Sequence, residues 1–103
     1  MTKKKIIYRD FQDFLLGNLK DPEEAAAYLK AALADEDERV FLLALRDVLE
    51  AQGGDIAHLA EETSLNKQNL YRMLSRKGNP RLTSLKTVLH AIGFEMDIHP
   101  IRK

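Results

Sequence analysis

Between Asp55 and Ser75 two helix-start signals stand eleven residues apart, which leaves room for two very short helices and a corner between them. Asp55 precedes IAHLAEE, a helix of barely two turns; TSL makes the corner; and Asn66 precedes KQNLYRMLS. Asp and Asn favour such positions because their side-chain oxygens accept from first-turn N–H groups that lack an intrahelical partner. Two short helices joined by a three-residue corner form a helix-turn-helix. Ile56, Leu59 and Ala60 on the first, Leu65 in the corner and Leu70, Met73 and Leu74 on the second can meet in one core, and the small Ala60 lets the helices cross closely.

The flanking segments read as further helices. Phe11, Phe14, Leu15 and Leu19 fall at helical spacing in RDFQDFLLGNL. DPEEAAAYLKAAL opens with Asp21 as N-cap, Pro22 at the first helical position and Glu24 three residues on, a capping-box pattern with acid near the positive end of the dipole. Its apolar stripe is Ala25, Tyr28 or Leu29, Ala32 and Leu33. In ADEDER, Asp35 or Asp37 caps a third helix over 38–51, whose Phe41, Leu42, Leu45, Val48 and Leu49 mark it as the central helix. Gly53 and Gly54 stop it, one of them left-handed. Thr83 is expected to cap SLKTVLHAI, closed by Gly93.

In FEMDIHP, Phe94, Met96 and Ile98 alternate with polar residues, which predicts a short half-buried strand ended by Pro100. A lone strand needs a partner: either KKIIYRD within one subunit, or a second copy across a two-fold axis, the preferred alternative. The expected fold is mainly α, a compact domain of about six helices containing a lambda-repressor-like helix-turn-helix, plus that C-terminal β-strand. One domain covers 1–103, with N-terminal helices over 9–51, the helix-turn-helix region over 55–93 and the strand over 94–99.

Composition narrows the function. The chain has 103 residues, a formal net charge of zero and no cysteine, which removes disulfide scaffolds, Cys-based zinc sites and thiol catalysis. The sequence shows neither a membrane span nor the apolar core of a secretory signal, so cytoplasmic residence is expected. The zero conceals a division: residues 1–63 hold 8 Lys and Arg against 14 Asp and Glu, whereas residues 64–103 hold 8 against 2. An acidic half and a basic half point to two surfaces for two kinds of partner.

The segment NKQNLYRMLSRKGNP, 66–80, contains no acid. With Leu70, Met73 and Leu74 turned inward, the opposite face presents Lys67, Gln68, Tyr71 and Arg72 at the end of a helix suited to enter a major groove. Lys and Arg donate to guanine O6 and N7, and Gln pairs bidentately with adenine, so these four are the candidate base readers. Asn66 and Asn69 at the helix start, with Arg76, Lys77, Asn79 and Arg81 beyond its end, are the candidate phosphate ligands, which add affinity without reading sequence.

The residues carry a family resemblance over most of the chain. Residues 55–93 resemble the Xre or Cro type of helix-turn-helix. LKDPEEAAAYLKAAL, ALRDVLEAQGG and LAEETSLNKQNLYRMLSRKGNPRLTSLKTVLHAIGFEMDI together resemble the probable addiction module antidote proteins, HigA-like antitoxins. The resemblance implies an antitoxin that neutralises a RelE- or HigB-like ribonuclease toxin and, as a homodimer on a palindromic operator in double-stranded DNA, represses its own operon. Ser64 stands where the corner usually has Gly, so a left-handed conformation there would cost about 1 kcal/mol. Asn66 replaces the commoner Ser or Thr cap.

The sequence offers no sign of catalysis. His58, His90 and His99 are too dispersed to share a helix face, no metalloprotease pattern joins them, and no serine sits in a nucleophile elbow. No enzyme, metal or cofactor is expected. The competing reading is a helical protein-interaction adaptor without DNA binding.

Overall fold

The computed structural model describes residues 11–75 and 77–101. Its helices are α1 (11–18), α2 (Pro22–Leu33), α3 (Glu38–Ala51), α4 (Ile56–Thr63), α5 (Lys67–Met73) and α6 (Leu82–Ala91). Among the described residues, no helix is long and apolar enough to cross a membrane.

Local chemistry sets most helix starts. The carboxylate of Asp21 accepts from the Glu23 N–H at 2.9 Å, that of Asp37 from Arg39 at 3.0 Å and that of Asp55 from His58 at 2.7 Å. The reciprocal half of the expected capping box at Asp21 is missing, because the Asp21 N–H already donates to the Asn18 carbonyl. Asp35 instead accepts from the Asp37 N–H and so stiffens the approach to α3. That helix ends as expected: Gly53 takes φ +79°, and the Gly54 N–H returns to the Leu49 carbonyl.

α3 is the centre of the molecule. Leu45 and Val48 are fully buried on it, and one apolar cluster runs from Leu19 and Leu29 through Phe41 and Leu42 to Leu59, Leu70, Leu74, Val88 and Leu89. α2 packs on α3, and α4 packs on both α5 and α6. Two polar ties reinforce the amino-terminal half: Tyr28 donates to Asp47 at 2.7 Å, and the Gln52 amide donates to the Leu19 carbonyl at 2.9 Å. Burial pushes the Tyr28 phenol up to about 12, with the Asp47 carboxylate adding to the effect.

The buried faces of α1 and α2 differ from those expected. Leu15 and Leu16 are half-buried and Leu19 is buried, while Phe11 and Phe14 are 61% and 67% exposed. On α2, Ala25, Leu29 and Ala32 are buried, but Leu33, the last residue of the helix, is 52% exposed.

The expected C-terminal strand does not form. Residues 94–101 carry neither helix nor strand. Phe94 is half-buried against the core, its N–H donating to the Leu89 carbonyl at 2.8 Å across the left-handed Gly93, but Met96 and Ile98 point to solvent. A strand exists only as part of a ladder, and the described residues supply none. The amino-terminal KKIIYRD lies outside them.

Candidate nucleic-acid interface

The corner between α4 and α5 fixes how α5 is presented. Ser64 adopts φ +61° and ψ +17°, the left-handed conformation expected to favour glycine there. Thr63 braces it from inside: its hydroxyl donates to the Leu59 carbonyl at 2.7 Å and accepts from the Leu65 N–H at 3.2 Å. Leu70, Met73 and Leu74 then point into the core, and the opposite face of α5 projects Lys67, Gln68, Asn69, Tyr71 and Arg72 into solvent. None of these side chains makes an ion pair among the described residues.

Asn66 has a structural task as well. Its side-chain oxygen accepts from the Gln68 and Asn69 N–H groups at 2.9 and 3.1 Å. That oxygen and those two backbone donors are therefore committed to the cap, which leaves the Asn66 side-chain amide NH2 group and the Lys67 N–H to meet a phosphate.

The candidates do not all share one place. Asn66, Asn69, Arg72, Asn79 and Arg81 come together around a cleft of about 520 Å³ between α5 and the start of α6. Arg72, assigned by pattern to base reading, thus stands among the expected phosphate ligands. Lys67 and Gln68 occupy the exposed tip of α5, and Lys77 is exposed on the loop after it. Tyr71 turns the other way, to a groove shared with Gln12, Leu43, Arg46 and Asp47. Arg76 lies outside the described residues.

Two features were missed from the pattern. α6 begins at Leu82 with Arg81 as its N-cap, so Thr83 lies inside the first turn; Arg has no acceptor to offer, and no side chain caps the helix. The first-turn N–H groups at Leu82, Thr83 and Ser84 consequently remain available beside Arg81 and Ser84, at an end that favours anions. The second feature is Gly78, whose N–H donates to the Ser75 carbonyl at 3.0 Å. It lies so close to the end of α5 that a Cβ there would meet the Met73 carbonyl oxygen at 2.1 Å. This fold-back carries Asn79, Pro80 and Arg81 to the rim of the cleft.

The arrangement offers donors on an exposed helix face, a polar cleft with two arginines and an uncapped helix start, with no carboxylate lining it. Its chemistry is recognition of an anionic, hydrogen-bonding surface. No solved structure matches the chain. An uncharacterized protein of Haemophilus influenzae (strain ATCC 51907 / DSM 11121 / KW20 / Rd) is 26% identical over 85 residues, which cover 82% of this chain and 86% of that protein. The family model described as "Probable addiction module antidote protein" matches residues 10–100. With nearly its whole length inside that match, the chain belongs to the family of probable addiction module antidote proteins.

Proposed function

We propose that this antidote is also a sequence-specific DNA-binding regulator of the Xre type: a homodimer that represses its own operon from a palindromic site and neutralises a RelE- or HigB-like toxin. Membership of an antidote family implies a toxin partner; the toxin class, the DNA and the dimer are the proposal. One observation carries the DNA reading. The exposed face of α5 and the cleft beside it collect Lys67, Gln68, Asn69, Arg72, Asn79 and Arg81 opposite a buried Leu70, Met73 and Leu74. Lys67 and Gln68 at the tip read bases; Arg72, Asn79, Arg81 and the start of α6 grip the backbone. No step of this activity is catalytic, and the DNA it addresses places it in the cytoplasm.

The toxin, expected to be basic because it binds RNA, is assigned to the acidic half, where residues 11–63 hold four Lys and Arg against thirteen Asp and Glu. A mobility-shift titration with DNA from upstream of the chain's own gene tests the DNA reading. A saturable shift that scrambled duplex does not compete supports it. No shift at low salt would replace it with the adaptor reading, in which the acidic half alone acts.

A further inference from the structure

The DNA reading leaves Tyr71 unused. Although its spacing groups it with Lys67, Gln68 and Arg72, it stands 55% exposed at a groove of about 490 Å³ whose walls come from α1, α3, the start of α4 and α5. Leu43 lines the same groove and is 41% exposed, whereas Phe41 and the other leucines of α3 are buried. α1, which supplies Gln12 to the groove, also holds Phe11 and Phe14 outside the core. Three helices that meet here thus carry four large apolar or aromatic side chains that the chain's own core leaves uncovered. Exposed apolar surface of this kind, rimmed by polar groups, marks a protein–protein contact.

The charges of the groove select the occupant. It holds Asp47, Glu50 and Asp55 against Arg46. Asp47 already accepts from the Tyr28 hydroxyl and Asp55 caps α4, but neither Glu50 nor Arg46 is in an ion pair among the described residues. Duplex DNA would meet three carboxylates and one arginine. A second copy turned by a two-fold rotation would set the same acidic excess against itself. A basic protein meets the complementary sign.

We infer that this groove is where the toxin docks: a basic protein that sets an apolar side chain against Leu43 and Tyr71 and a cation against Glu50. Tyr71 is then the aromatic anchor of a protein interface, and α5 serves two partners from two sides, with Arg72 on the polar cleft and Tyr71 on the acidic groove. The inference rests on the reading of the chain as the antidote of a basic toxin and narrows it from the acidic half to one groove.

Calorimetric titration of the full chain with the purified small basic protein encoded beside its own gene tests the inference. Tyr71→Ala and Leu43→Asp should each weaken binding at least about tenfold, the loss usual for an anchor near the centre of an interface. Glu50→Lys should weaken it by a comparable factor, and that loss should shrink as salt rises. Glu36→Lys is the reference: it makes the same charge change at an exposed position between α2 and α3, and should move the affinity by no more than about twofold. All four changes are at exposed positions, and circular dichroism melts should match the parent. A parent that binds while the three groove variants lose no more than Glu36→Lys overturns the groove and leaves the toxin reading standing. A parent that does not bind at all refutes the toxin reading and the groove with it. Leu43→Asp should keep the parent's DNA affinity and its mass in sedimentation. If it loses either one and still binds the basic protein, the groove belongs to DNA or to a second copy, and the inference falls.

Discussion

Replacing Gly78 by Ala should damage both stability and DNA binding, for a reason that can be measured on the backbone. The added Cβ would lie 2.1 Å from the Met73 carbonyl oxygen, 2.8 Å from the Met73 carbonyl carbon and 2.9 Å from the Arg72 carbonyl oxygen. All three are main-chain atoms at the end of α5, so no side-chain rotation relieves the overlap. Ordinary contact begins near 3.4 Å, so the loop must retreat by more than an ångström. Overpacking of this kind costs about 1–3 kcal/mol, which for a domain of this size lowers the melting temperature by roughly 4–20 °C. The same retreat pulls Asn79 and Arg81 from the cleft they share with Asn69 and Arg72, so cognate and random duplexes should both be bound more weakly, with a shallower salt dependence. Gly17→Ala is the internal control. Residue 17 lies in α1 with nothing within 4 Å of its would-be Cβ, and alanine there should stabilise by about 0.5–1 kcal/mol. Thermal melts and binding titrations at several salt concentrations, on both variants, decide the matter. If Gly78→Ala melted with the parent and kept its affinity, the loop would not be pinned against α5 and the cleft would owe nothing to the fold-back.

Three further outcomes follow from the geometry. Ser64→Gly should stabilise by about 1 kcal/mol by removing the left-handed penalty at φ +61°, seen as a higher denaturation midpoint at unchanged slope; a lower midpoint would mean that the Ser64 side chain holds the corner. Tyr28→Phe should cost about 1 kcal/mol through the lost bond to Asp47. Because the folded phenol titrates at about 12 against 10.0 unperturbed, its contribution is whole below pH 10 and fades as pH rises towards 12; melts across that interval should fall more steeply in the parent than in Tyr28→Phe, and identical slopes would refute the assignment. Gln68→Ala should cost about 1–3 kcal/mol on the cognate site and much less on random DNA, whereas Arg81→Ala should weaken both and lower the salt slope by about 1; full discrimination by the Gln68 variant would remove α5 as the reader.

Features governed by neighbours in sequence were legible from the chain. Asp21, Asp37, Asp55 and Asn66 act as caps because the groups they satisfy lie two or three residues away, and the dense apolar run of α3 could only be central. Where two answers were locally equivalent, tertiary structure chose. Phe11 and Phe14 have the same helical spacing as Leu15 and Leu19, but α1 turns Leu15, Leu16 and Leu19 towards the core and leaves the phenylalanines outside. Thr83 is the better cap by residue type, yet α6 starts one residue after Arg81, whose extended backbone ends the loop. The alternation of Phe94, Met96 and Ile98 describes a strand only if a partner is present. At the candidate site, the exposed face of α5 was readable from periodicity, whereas the meeting of Arg72 with Asn79 and Arg81 depends on the close approach at Gly78, which the sequence displays only as a glycine in a polar loop.

The single apolar cluster that runs from Leu19 through α3 to Leu70 and Leu89 means that the acidic half and the half that carries α5 should melt in one transition. Removing residues 1–34 would strip Leu19, Ala25, Leu29 and Ala32 from the cluster they share with Phe41, Leu42 and Leu45, and such a truncation should unfold α5 as well. The same coupling works in the other direction. A protein bound to α1–α3 at a hundred times its dissociation constant deepens the folded state of the whole chain by about 2.7 kcal/mol. It thereby cuts the fraction of molecules open to a protease roughly a hundredfold, without touching Lys67, Gln68 or Arg72 of α5.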